Sequence, residues 1–359
     1  MQAPNLFQFA PSELSQDAFF LWLLTFADSK FISTKFDTLN QVAREMLLAM
    51  VRKHRPNFDM EFKDIQLKKQ YKFQENYEEK KKSRLIDILI TVNEQSKLEN
   101  NTDECLKIII ESKTNSKEHG NQLNSYAKHA IEQGWNFIGI YLKTGNEAKF
   151  YLNQISDKTS DLGIKFEVFN RQDILNILKK YSNIKNDIYQ SYLQYLQEIE
   201  NKSKTYLNLP IKDWQGYSWQ GFFADLEKEF NDFEWKYVDN PNGGFWAGDL
   251  IVRQWQEHQV VFAIHQHKLV FGIFIDDEDM RSQKRNEFSK YLLEKSETSS
   301  INLQTPKRFG HGKFMKVAEV EQQHWLGNND ETVDMEKVIE NIEVYKEFFE
   351  KITDNCKSS

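Results

Sequence analysis

The sequence predicts an α/β sandwich built on a mixed sheet, followed by an α+β domain with an antiparallel sheet. Three observations carry this expectation. The β-branched runs RLIDILITV (84–92) and CLKIIIES (105–112) have strand length and are apolar enough to be buried on both faces. The helical and extended patterns follow one another as α, α, β, β, β, α, β, β, α, α, the order of a layered α/β unit. Near residue 205 the composition shifts: six of the eight Trp lie beyond it, together with an excess of acidic residues. The expected domains are therefore 1–204 and 205–359.

The first element is a helix over SELSQDAFFLWLLTFAD, with Ser12 as its cap. Its residues 19–24 are apolar almost all round, which marks a buried helix. A second helix is expected over Thr38–Lys53. Residues 58–73 alternate imperfectly and read as extended, and Glu78–Lys82 is a charged turn before the strand 84–92. After the strand 105–112 comes a helix over Lys117–Gln133, closed by Gly134. Strands over 136–144 and 165–170 follow, then helices over 171–181 and 184–202. Beyond 205 the expected order is a helix (219–230), a strand (234–238), a turn at Pro241-Asn242-Gly243-Gly244 and a strand (245–255). A hairpin (260–275), a helix (277–297), a strand (313–320) and a last helix (334–352) complete it.

Composition excludes several classes. No apolar run approaches the ~20 residues that span a bilayer. Two distant cysteines, Cys105 and Cys356, make neither a disulfide framework nor a cysteine zinc site, and a reducing cytoplasm is the expected compartment. The net charge is -7, from 47 basic and 54 acidic residues, which excludes a uniformly basic nucleic-acid binder. The charge is uneven. Residues 1–204 hold 29 basic and 27 acidic residues, net +2, and residues 205–359 hold 18 and 27, net -9. Residues 51–84 alone hold 11 and 6, net +5, so a phosphate-bearing partner is expected at the N-terminal half.

The chemistry concentrates on two strands. Asp87 lies inside RLIDILI, and a carboxylate in so apolar a strand needs a cation, from Arg84 nearby or from a metal ion. Glu111 and Lys113 end the next strand, two residues apart and so on one face. Pairing of the two strands would bring Asp87 to the same point. Two carboxylates there suit a hard divalent cation such as Mg²⁺, with several waters retained. A lysine beside it can orient water or hold a phosphate oxygen. By itself an E-x-K at a strand end is most often an exposed ion pair; the joint pattern favours a site.

Asp87 and Glu111-Ser112-Lys113, each on its own strand, resemble the PD-(D/E)xK nuclease superfamily, the restriction-endonuclease-like fold. The sequence has Ile86 where many members have Pro. Gln122 and Tyr126 on the following helix resemble the Q-x-x-x-Y motif of the RecB-like and lambda-exonuclease-like branches. Glu13 and Asp17 resemble the acidic residues of the superfamily's opening helix, where one often reaches the metal. The resemblance covers about residues 5–200. It implies a nuclease that uses Mg²⁺ or Mn²⁺ to hydrolyse phosphodiester bonds of nucleic acid, DNA foremost, in settings such as restriction, defence or repair. Asp87, Glu111 and the Ser112 carbonyl would hold the metal, with Glu13 or Asp17. Lys113 would act on water or the phosphate, and Gln122 and Tyr126 would position substrate or Lys113. Two rivals stand beside it: a non-catalytic protein that binds nucleic acid or a partner, and a sensor whose C-terminal domain meets a protein or small molecule.

Other features carry bland expectations. His265 and His267 share a strand face but have no third ligand for zinc. The Arg308-Phe309-Gly310-His311-Gly312 segment reads as a loop before a strand. Trp214, Trp219, Trp235, Trp246, Trp255 and Trp325 read as core.

Overall fold

A computed structural model of the chain describes residues 4–59, 61–77, 80–100, 104–118, 121–240 and 243–354. Residues 78–79 of the expected charged turn, residues 241–242 of the expected glycine turn, and Cys356 lie outside them, and the rest of that charged turn, Lys80–Lys82, belongs to a strand. The chain divides into two compact units: residues 1–146 with 150–200, and residues 147–149 with 201–359. Among the described residues no helix is long and apolar enough to cross a membrane.

The first unit runs α1 (Leu6–Phe9), α2 (Glu13–Thr25), α3 (Asp37–His54), β1 (Ile65–Tyr77), β2 (Lys80–Val92), α4 (Glu94–Asn100), β3 (Leu106–Lys113), α5 (Gln122–Glu132), β4 (Phe137–Lys143), α6 (Lys149–Asp157), β5 (Phe166–Asn170), α7 (Arg171–Leu178) and α8 (Asp187–Ser203). Its sheet has the order β1-β2-β3-β4-β5. The first three strands are antiparallel neighbours, and β3, β4 and β5 are parallel, so the sheet is mixed. The apolar runs of β2 and β3 supply its centre: Ile88, Ile90, Ile108, Ile109 and Ile110 have no exposed surface. Ser12 caps α2 by accepting from Ser15 N, and Phe20, Leu23 and Leu24 of that helix are fully buried. Helix α2 packs on β1, β2 and β3, α3 on β4 and β5, and α5 on β1 and β2.

Four elements differ from the sequence expectation. Helix α5 begins at Gln122, not Lys117, because Asn121 takes a left-handed backbone at φ 71°. The Glu118 carboxylate accepts from Gln122 N at 2.7 Å and satisfies that helix start from outside the helix. Helix α6 occupies a stretch to which the sequence assigns no element; Ile155 is its one fully buried residue, so its pattern is weak. The short helices α1 and α4 were likewise unforeseen.

The second unit contains α9 (Gly216–Glu229), β6 (Glu234–Val238), β7 (Phe245–Trp255), β8 (His258–His265), β9 (Lys268–Phe274), α10 (Arg281–Thr298), β10 (Phe314–Val320) and α11 (Met335–Asp354). Its sheet, ordered β10-β9-β8-β7-β6, is antiparallel throughout. One face carries Val260, Phe262, Ile264, Leu269, Phe271 and Ile273 into a core shared with the three helices. Trp214, Trp219, Trp235, Trp255 and Trp325 are buried in it and Trp246 packs against it. The two-histidine face does not form. His265 ends β8, whereas His267 sits in the tight turn after Gln266 (φ 52° lies at Gln256 and 47° at Gln266) and bonds Gln322 at 2.7 Å.

Candidate active site

The sheet opens at Asp87. Strand β2 pairs with β3 from Val92 to Ile88, opposite Ile110, and there the pairing stops. Strand β3 stays with β4 through Lys113, opposite Lys143. On the other side, β1 pairs Lys69 with Ile88 and Tyr71 with Ile86, and Gln70 between them takes φ 48°. Continuing the β2–β3 register one step past Ile88 and Ile110 sets Asp87 against Glu111. Both carboxylates thus stand where two strands diverge, at the carboxyl end of β3.

Asp87 Oδ2 accepts from Ser112 N at 2.9 Å. Arg84, expected from sequence as a possible partner of Asp87, instead donates to Glu75 at 2.8 Å. Glu111 is fully buried and pairs directly with Lys113. Tyr126 lies on α5 with its hydroxyl 2.8 Å from Glu111 Oε2 and 2.5 Å from Leu85 O. Its single proton serves one of those acceptors at a time. Gln122 Nε2 stands 3.5 Å from the same hydroxyl, one helical turn away. Ser125, also on α5, donates to Glu75 at 2.7 Å and ties the helix to the β1–β2 hairpin.

Successive residues of β3 point to opposite faces, so Ser112 faces α2 while Glu111 faces α5. Gln16 of α2 donates to Ser112 Oγ at 2.7 Å and is itself bonded by Thr144 Oγ1. Asp17, 2% exposed, meets the same Ser112 side chain, and its Oδ1 has no hydrogen-bond partner among the described residues. Glu13 Oε1 accepts from Thr114 N at 3.3 Å and from Ser116 Oγ at 2.5 Å, just past the end of β3. Gln16 was not singled out from sequence. The available signal was its polarity inside a helix whose neighbours are apolar.

The electrostatics record crowded negative charge. Burial, then the charge of Asp87, pushes the Glu111 pKa up to about 8, although Lys113 and Tyr126 oppose the rise. Burial raises Asp17 to about 6, with Asp87 and Glu13 adding to it and the Ser112 hydrogen bond opposing it. Burial also raises Asp87. Lys113 is pulled down by burial, but Glu111, Asp87 and Glu13 outweigh this and hold its ammonium charged.

Asp87 and Glu111, close enough to act on one another, are the oxygen donors that a hard divalent cation takes. Among the described residues no three His, Cys, Asp or Glu side chains form a metal-holding group by themselves. A cation here would keep water in its shell, as Mg²⁺ does.

A mixed five-stranded sheet, flanked by helices and split beside two carboxylates and a lysine, defines a nuclease-like α/β class. The family model of the PD-(D/E)XK nuclease superfamily matches residues 6–211, and the chain belongs to that superfamily. Searches of curated proteins and of solved structures found no match.

Proposed function

We propose that the protein is a metal-dependent nuclease acting on DNA, with residues 1–204 as its catalytic domain and 205–359 as an accessory domain. The observation that carries this reading is the pairing of buried Glu111 with Lys113 beside Asp87, at the break between β2 and β3. Asp87, Glu111 and the Ser112 carbonyl would hold Mg²⁺ or Mn²⁺, with Asp17 and Glu13 on the α2 side. When bound, that cation supplies positive charge at the phosphoryl oxygens and lowers the pKa of water.

The chain's own groups do the rest. Lys113, held as an ammonium, donates to a phosphate oxygen or to the oxygen of the attacking water; in that charged form it is not the base. Tyr126 fixes the Glu111 carboxylate, and Gln122 reaches toward Tyr126. Gln16 fixes the Ser112 side chain and so the end of β3. The substrate backbone would run along the basic segment that precedes the site.

Cleavage of single- and double-stranded DNA, with RNA as the comparison, tests the reading. Wild-type protein should cut DNA with Mg²⁺ or Mn²⁺ and stop with EDTA. Lys113→Ala should keep its circular dichroism spectrum and lose at least about a hundredfold in rate, the scale of one stabilising donor. A Lys113→Ala protein as fast as wild type would rule out this mechanism.

A further inference from the structure

The second sheet carries a cavity lined by residues of its strands and of the loop before β10. Its floor includes Ala247 of β7, and Gly272 of β9 lies under the Phe314 ring. A side chain at position 272 would meet Phe314 at 2.2 Å, so the phenyl ring occupies the room a larger residue would take. Aromatic rings form a row above the floor. Ring centroids are 5.1 Å apart for Phe245 and His265, 6.0 Å for His265 and Phe314, and 5.0 Å for Phe274 and Phe314. With Phe309 these rings line a cavity of about 670 Å³, inside the ~300–1,000 Å³ range of small-ligand sites.

The wall is fixed before any ligand arrives. Arg285 of α10, 7% exposed, donates to Gly310 O at 2.8 Å and lies 4.7 Å over the Phe309 ring. Arg281 reaches His311 O at 3.5 Å. These contacts hold the loop that carries Arg308.

The polar groups are selective. Lys236, Arg308 and Lys316 line the cavity, against the single carboxyl of Asp249. Lys316 also lies 3.6 Å from Glu319, outside the cavity. The His265 imidazole touches Phe245 and Phe314 and makes no hydrogen bond among the described residues, so its nitrogens are available to a ligand. Rings call for a flat aromatic partner, and the three cations call for an anionic group on it. A long polyanion is disfavoured, because the remainder of residues 205–359 is acidic, with 18 basic against 27 acidic residues over the whole stretch.

We propose that this cavity binds a nucleoside monophosphate, its base stacked in the Phe245–His265–Phe314 row and its phosphate held by Lys236, Arg308 and Lys316. The proposal stands independently of the nuclease reading. The test is calorimetric titration of the full-length protein in EDTA with AMP, GMP, CMP and dTMP. Inorganic phosphate, free nucleosides and a five-nucleotide oligomer are the comparison arms. At least one monophosphate should saturate with Kd below about 1 mM, and phosphate or nucleoside alone should bind at least about tenfold more weakly. Arg308→Ala, at an exposed position, and Phe314→Leu should each weaken binding about tenfold, the scale of one lost ionic or stacking contact. No saturation by any monophosphate up to ~5 mM would overturn the proposal. So would affinity unchanged in both variants, or an oligomer that binds more tightly than its monomer through these residues. Cleavage assays read a different site, so loss of one reading leaves the other standing.

Discussion

Glu111 carries the sharpest conflict in the molecule. A fully buried carboxylate beside Asp87 is stable as an anion only with more positive charge than Lys113 supplies, and its pKa near 8 records the deficit. A divalent cation would remove it. Adding Mg²⁺ or Mn²⁺ to metal-free protein should therefore raise the melting temperature, by a free energy of about 2.7 kcal/mol at a hundredfold excess over Kd. In Glu111→Gln that rise should vanish. An equal rise in the variant would remove Glu111 from the ligand set. His265 makes a second residue-level prediction. Burial first, and the charge of Lys316 second, lower its pKa to about 4. Asp249, Lys236, Arg308 and His311 line the same cavity. In the folded state the ring stays neutral down to about pH 4, whereas the unfolded chain protonates near 6.5. Stability should thus fall as pH drops from 6.5 toward 4, by up to about 3 kcal/mol from this residue. His265→Phe should flatten that part of the stability curve in denaturant titrations; an unchanged slope would contradict the assignment.

Among the elements, the β1–β2 hairpin has a role its sequence only partly announces. Past Ile88 it has left β3 and continues as a two-stranded ribbon through the Tyr77–Lys80 pair. Lys68, Lys69 and Lys72 on β1 are exposed, and Lys69 acts on Asp17 in the site. Replacing Lys69 and Lys72 together with Ala should weaken DNA binding at all sequences alike. The slope of log K against log salt should shrink by about 2, near one per lost phosphate contact. A salt slope equal to that of wild type would show that the ribbon does not touch the backbone. The strands were legible because Ile and Val runs of this length have few other destinations. The divergence of β2 from β3 was not, since periodicity specifies faces and not where pairing stops. The start of α5 was missed for a related reason: Asn121 turns left-handed and Glu118 caps from a distance, both tertiary outcomes. Asp87, Glu111 and Lys113 could be picked out because charged groups on apolar strands stand out, and Tyr126 through its likeness to the Q-x-x-x-Y motif. Gln16 sits among the same kind of neighbours, yet an amide alone does not announce a partner such as Ser112.

For the whole molecule the decisive property is the division of charge. Residues 1–204 carry net +2 and residues 205–359 net -9, from the counts of basic and acidic residues in each. An acidic surface repels the DNA backbone over about a Debye length, ~8 Å at physiological salt. The second unit has its own antiparallel sheet and its own Trp-rich core, so its tryptophans are spent on stability. We therefore expect it to control access or recognise a non-DNA partner, and not to add general DNA affinity. A chain ending at residue 204, after α8, should keep the circular dichroism signature of an α/β unit. It should bind DNA as tightly as the full-length protein or more tightly, with a similar dependence on salt. The comparison should be made at low and moderate salt, because the repulsion is strongest at low salt and the gain on truncation should be largest there. A folded truncated protein that had lost most of its DNA affinity would instead make the acidic half part of the grip. Its cations would then have to meet phosphate despite the surrounding charge.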